Sequence, residues 1–213
     1  MLVEEIMNRK VITITPEDTV HTASGKIKEH RIRHLPVVDG EHLVGIISDR
    51  DLKGATPSVL LECKDIERLK NIKVKEIMTE QVLTAHPLDG VDEAARLMYE
   101  HRIGCLPVVR GNKLIAIITE TDILRTLVEW VGTLETGTTL EIEVPNRPGA
   151  LAEVTLAIKS RNINLVSVLM RNGFEPNTKL ITAKLQTMQV AKIIEEIEQL
   201  GFRVLHPHRS SLV

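Results

Sequence analysis

Leu35-Pro36-Val37-Val38-Asp39-Gly40-Glu41-His42-Leu43-Val44-Gly45-Ile46-Ile47-Ser48-Asp49-Arg50-Asp51 returns 71 residues later as Leu106-Pro107-Val108-Val109-Arg110-Gly111-Asn112-Lys113-Leu114-Ile115-Ala116-Ile117-Ile118-Thr119-Glu120-Thr121-Asp122. Each stretch reads the same way. An apolar strand opens on proline, where a strand tolerates it. Asp39-Gly40 or Arg110-Gly111 turns the chain, a second apolar strand follows, and a hydroxyl residue opens a helix. Working outward, residues 3–52 and 74–123 align without a gap, with 23 of 50 positions identical. Such self-similarity predicts two copies of one small fold packed about a pseudo-two-fold axis, with two related clefts between them. Clefts of that kind take small molecules.

Upstream in each copy, Val11 to Ile14 predicts a short strand. Thr15-Pro16-Glu17-Asp18 predicts the start of a helix, with Thr15 as its cap. Val20, Ala23 and Ile27, and in the second copy Val91, Ala94 and Met98, recur at helical spacing. Residues 53–72 join the copies, as a helical cover or a loop. The spacing also predicts an amphipathic helix over 123–134, with Ile123, Leu124, Leu127, Val128, Val131 and Leu134 on one side.

After Thr136-Gly137-Thr138 the pattern changes. Strands are predicted at Leu140–Val144, Leu165–Met170, Lys179–Leu185 and Arg203–Leu205. Helices are predicted through Leu151, Val154 and Ile158, and through Val190, Ile193, Ile194, Ile197 and Leu200, stopping at Gly201. The order βαββαβ is that of a ferredoxin-like sandwich. Its second strand lies at a sheet edge and reads apolar on both faces, which predicts a homodimer through that edge.

Bulk numbers remove several classes. Net charge is −2, so no overall field draws the chain to nucleic acid or anionic lipid. Four aromatic residues, Tyr99, Trp130, Phe174 and Phe202, are too few for base-stacking platforms. No apolar run approaches the ~20 residues of a membrane span, and Met1-Leu2-Val3-Glu4-Glu5 is not a secretory signal. Cys63 and Cys105 fit neither a disulfide framework nor a zinc site. His206-Pro207-His208 lacks a third ligand for a metal. There is no phosphate-cradling glycine loop and no convergent nucleophile and base. The expectation is a cytoplasmic, non-enzymatic protein without an obligatory cofactor.

The chemistry-bearing pattern is Ser48-x-x-Asp51 and Thr119-x-x-Asp122. A carboxylate presents two oxygens to the vicinal diol of a ribose, and the hydroxyl adds a bond to sugar or phosphate. The same spacing is also a helix capping box, so both readings stand. His30-Arg31 and His101-Arg102 close the helices, where cations suit the dipole; contact with a ligand or partner is the other reading.

The paired repeat resembles a tandem CBS-domain module, on Leu-Pro-Val-Val twice and the Ser-Asp-Arg-Asp and Thr-Glu-Thr-Asp helix starts. The tail resembles an ACT domain, on Asn146-Arg147-Pro148-Gly149-Ala150-Leu151. The fold class is thus α+β and α/β: domains at 1–54 and 73–128 with a linker at 55–72, a connector at 129–138 and an ACT domain at 139–213. This order is similar to acetoin utilisation proteins of the AcuB type. The resemblance implies an adenine nucleotide or other adenosine-containing ligand, sensed in acetoin or acetate catabolism and reported to a target protein.

The resemblance assigns nucleotide contact to Thr15, Arg33, His34, Leu35, Ser48, Arg50 and Asp51 in the first copy. In the second it assigns His86, Gly104, Cys105, Leu106, Thr119 and Asp122. Arg33, His34 and Arg50 have no cationic counterparts, so the cleft holding Arg33 and His34 is expected to prefer more phosphates. Ala116, in place of Gly45, is expected to crowd the second site. The alternative is an amino-acid sensor, with ligand between the loop Asn146, Arg147, Pro148, Gly149, Ala150, Leu151 and a partner chain's turn Asn162, Ile163, Asn164. The CBS pair then only dimerises.

Overall fold

The computed structural model describes residues 1–55 and 71–206. The linker with Cys63, and Pro207 and His208, lie outside the described residues. Two compact units divide the chain, Met1–Leu124 and Arg125 onward.

The first unit contains α1 (Val3–Ile6), α2 (Val20–His30), β1 (His34–Asp39), β2 (His42–Ser48) and α3 (Asp49–Gly54). After the linker come a 3-10 turn (Val74–Glu76), α4 (Val91–His101), β3 (Cys105–Arg110), β4 (Lys113–Thr119) and α5 (Glu120–Trp130), which leads into the second unit. The two hairpins form one sheet, ordered β1-β2-β4-β3. They meet where His42 pairs with Lys113 and the Lys113 ammonium reaches Glu41 at 2.7 Å.

Two local expectations fail for one reason. The helices begin at Val20 and Val91, the first of them four residues after its predicted start at Pro16. Asp18 Oδ2 accepts from the Thr15 N–H and hydroxyl, both at 2.9 Å, and Asp89 Oδ2 accepts from the His86 N–H at 2.7 Å. A carboxylate folded back on the chain holds a turn that competes with helix. Thr19, not Thr15, caps α2 by accepting from the Thr22 N–H. The predicted strand at Val11–Ile14 shrinks to one parallel bridge, Ile14 with Val37.

The halves also exchange their first residues. Val3 and Met7 pack in the core of the second copy with Ala94, Met98, Leu106, Val108 and Ala116. Val74 packs in the core of the first with Ile14, Val20, Ala23, Leu35 and Ile47. Main-chain bonds mirror the exchange: Val3 N–H to the Asp89 carbonyl and Glu4 N–H to Pro87, Val74 N–H to Asp18 and Lys75 N–H to Pro16.

The second unit contains β5 (Thr138–Pro145), α6 (Ala150–Ser160), β6 (Leu165–Asn172), β7 (Thr178–Leu185), α7 (Ala191–Gln199) and β8 (Arg203–His206). The antiparallel order β6-β7-β5-β8 is the ferredoxin-like sandwich expected, with β6 at an edge. Leu140, Ile142 and Val144 of β5 meet Val154 and Ile158 of α6 and Ile193, Ile194 and Ile197 of α7. Ala150 takes the buried place expected of Leu151, which is exposed, as is Leu200. Only glycine fits at 137: its φ is +144°, and a Cβ there would lie 2.0 Å from the Leu185 carbonyl oxygen.

The helix predicted over 123–134 is the C-terminal part of α5 and stops at Trp130. Thr126 is its buried residue. Leu124, Leu127, Trp130 and Leu134 are exposed, while Ile123 packs against the second copy's core.

Candidate functional site

The first unit holds two clefts related by the repeat. In cleft one, about 450 Å³, Ser48 and Asp51 at the β2–α3 corner face Thr79–Leu83 and Arg102–Cys105 of the other copy. In cleft two, about 240 Å³, Thr119 and Asp122 at the β4–α5 corner face Asn8–Ile12 and Arg31–His34. Each cleft therefore takes its hydroxyl–carboxylate pair from one copy and its opposite wall from the other.

At both corners the hydroxyl and carboxylate are locked together. Asp51 Oδ2 accepts from the Ser48 N–H (2.8 Å) and Oγ–H (2.6 Å), and Ser48 Oγ accepts from the Asp51 N–H (3.3 Å). Asp122 Oδ2 and Thr119 repeat the pattern at 2.9, 2.6 and 3.4 Å. The capping box is thus real, and it also fixes each carboxylate at a cleft wall. The two readings of the motif coincide in one geometry. Both bonds from Ser48 fall on Oδ2 of Asp51, so its Oδ1 is the oxygen geometrically suited to a sugar hydroxyl.

The structure brings Arg33, His34, Ser48, Arg50, Asp51, Gly104 and Cys105 together in cleft one, and Arg33, His34, Thr119 and Asp122 in cleft two. Arg33 and His34 line both, which removes the premise that they mark a single cleft. Thr15 and His86 line neither, because each is held in its Asp-closed turn. Leu35 and Leu106 are fully buried in the two cores and line neither cleft. Ala116 is also fully buried, beside Met7, so its methyl group crowds no cleft.

Sequence reasoning missed Asn8 and Lys10 in cleft two, and Gln81, Leu83 and Glu120 in cleft one, and left Arg31 and Arg102, which line clefts two and one, between a helix-end and a ligand role. The structure marks two of these positions. Arg31 and Arg102 sit in the left-handed region, with φ of 52° and 54°, at helix ends where glycine is usual. A bulky residue held there twice marks a position chosen for its side chain.

Burial pushes the His34 imidazole below its ordinary value, with help from the Arg33 charge and against Asp49, Glu120 and Asp51. Gly104 makes room for the ring: a Cβ there would meet His34 Cε1 at 3.0 Å. Burial, with Glu120, raises the Cys105 thiol to about 12, so it is no nucleophile.

In the second unit the loop Asn146–Leu151 is closed by a two-pronged ion pair from Arg147 to Glu153 (2.6 and 2.9 Å). The turn Asn162–Asn164 flanks a cavity of about 280 Å³ with Thr155, Lys159 and Leu165. Loop and turn lie at opposite ends of α6, ~16 Å apart at 1.5 Å per residue, so one chain does not bring them together. Among the described residues, no group of three His, Cys, Asp or Glu is placed for a metal, and no helix is long and apolar enough to cross a membrane.

Residues 3–57 and 74–129 match the CBS domain family, and residues 138–202 the ACT domain family. A CBS domain-containing protein of Dictyostelium discoideum is 36% identical over 134 residues, 61% of this chain and 92% of that protein. A crystal structure from Vibrio cholerae, a candidate acetoin utilization protein (AcuB), is 33% identical with a TM-score of 0.53, covering 60% of this chain and 90% of that one. The CBS domain pair of protein MJ0100, in complex with 5'-methylthioadenosine and S-adenosyl-L-methionine, is 32% identical with a TM-score of 0.51, covering 60% and 95%. Inosine-5'-monophosphate dehydrogenase of Korarchaeum cryptofilum is 30% identical over 214 residues. The match covers 94% of this chain but only 42% of that enzyme.

Proposed function

The chain belongs to the CBS-domain family, as a CBS pair followed by an ACT domain, and from that premise we propose that it is a non-enzymatic regulatory protein sensing an adenosine-bearing ligand. The carrying observation is the matched placement of Asp51 and Asp122. Each is locked to a hydroxyl residue at a cleft wall built from both copies. A carboxylate so held presents its other oxygen, Oδ1, to the ribose hydroxyls, and charge-assisted bonds are the strong ones. The MJ0100 complex supports an adenosine class of ligand.

A ligand acts only by favouring one arrangement of the copies over another. In this reading α5, continuous from the second copy into the next unit, carries that preference to the ACT domain and a target protein. The candidate AcuB structure supports a role in acetoin use. Calorimetric titration of adenosine and ATP into the chain tests the reading: heat is expected with both, and no heat with either overturns it.

The dimer belongs to the same proposal. Along edge strand β6, Val168, Leu169 and Met170 are 37, 40 and 53% exposed. A matching edge from a second copy extends the sheet and covers them. Sedimentation at micromolar concentration is expected to give a dimer, and Leu169→Lys a monomer. A wild-type monomer refutes the interface. Such a dimer also sets a partner's loop 146–151 near the 162–165 cavity, where an amino acid is the second ligand class to screen.

A further inference from the structure

The repeat makes two clefts, but the chain carries Arg33 and His34 only once, and both line both clefts. Their counterparts, Gly104 and Cys105, carry no charge and line cleft one alone. The remaining charges are unevenly shared. Cleft one sets Arg33, Arg50 and Arg102 against Asp49, Asp51 and Glu120. Cleft two sets Lys10, Arg31 and Arg33 against Asp122.

We propose that the clefts sort adenosine ligands by charge: cleft two takes a phosphorylated one together with the Arg33 guanidinium, and cleft one is left for an adenosine without phosphate. This rests on reading the clefts as adenosine sites and adds a rule for filling them. A polyphosphate is drawn to the cleft where cations outnumber carboxylates. Arg33 has one fork of donors and cannot serve phosphates on both sides of the pseudo-axis. With it engaged in cleft two, cleft one keeps Arg50 and Arg102 against Asp51 and Glu120, Asp49 being paired to Lys53 at 2.9 Å, and no net positive charge is left to draw a second polyanion. His34 does not set the clefts apart, because it lines both. An uncharged nucleoside is indifferent to that deficit and needs only the Asp51 carboxylate. ATP in cleft two and adenosine in cleft one are therefore compatible, whereas ATP in both is not.

The test is calorimetry on the whole chain with ATP and adenosine as probes. Adenosine is expected to fill two sites of similar affinity. ATP is expected to fill one tightly and the second at least about tenfold more weakly. Protein saturated with one ATP is expected still to take one adenosine. Asp122→Ala removes the tight ATP event and Asp51→Ala does not. Arg33→Ala weakens that event about tenfold and adenosine binding far less. Two equal ATP sites in the wild type, or an Arg33→Ala loss equal for adenosine and ATP, overturns the sorting while the adenosine reading survives. Silence with both probes overturns that reading, and the sorting with it.

Discussion

The Asp51→Ala variant loses about a hundredfold in adenosine affinity at one of two sites, equivalent to about 2.7 kcal/mol. The magnitude follows from the acceptor. A hydrogen bond to a charged group contributes about 1.5–3 kcal/mol, and a diol offers two. The side chain is half-buried at the wall of cleft one and already oriented by Ser48, so little is spent in ordering it. Losing the cap is a separate effect, worth ~1 kcal/mol of helix stability, and it appears as a lower melting temperature without ligand. Ser48→Ala separates the two. It removes the cap's hydroxyl but keeps the carboxylate, so melting falls as in Asp51→Ala while adenosine affinity falls far less. Calorimetry that gives both variants the same affinity loss reduces Asp51 to a capping residue. An unchanged second site in each variant reports that cleft two is intact.

How far such a site is visible in a bare sequence depends on which interactions are local. The strand pairs, their turns and the Ser48–Asp51 and Thr119–Asp122 corners were legible, because hydrophobic period and capping spacing act within a few residues. The ferredoxin-like order of the second unit was legible for the same reason. The late helix starts were not, because Asp18 and Asp89 suit a capping box and a closed turn equally. The walls of the clefts were not legible for a deeper reason. Val3-Glu4-Glu5-Ile6-Met7 and Val74-Lys75-Glu76-Ile77-Met78 carry almost the same pattern. Near-identical segments fit either core, so periodicity is silent on which copy each joins. That choice sets which of Asn8–Ile12 and Thr79–Leu83 faces which aspartate. Arg33 and His34 were expected in a single cleft, whereas they line both.

The exchange has a consequence opposite to sequence order. A Val3→Ala, Met7→Ala double variant is expected to lose about 4 kcal/mol of stability, since truncating a buried methionine costs about 2–5 kcal/mol and emptying a valine site adds to it. Stabilities of 5–15 kcal/mol leave the chain folded but strongly weakened. The damage falls on the second copy, with which these residues pack. Urea unfolding reads the total, and hydrogen exchange locates it: amides of α4, β3 and β4 lose protection first, while those of α2 and β1 keep theirs. Val74→Ala is the mirror case and loosens α2 and β1 instead. Cleft two is weakened with its wall. Asn8 is anchored there by exchanging main-chain bonds with Ile117 at 2.8 and 3.0 Å, and it holds Lys10 at the rim. The tight ATP event therefore weakens in the Val3, Met7 variant although neither residue touches the cleft. Exchange that rises only in the first copy would mean that each repeat folds on its own segment, and the assignment of cleft walls to opposite copies would fall with it.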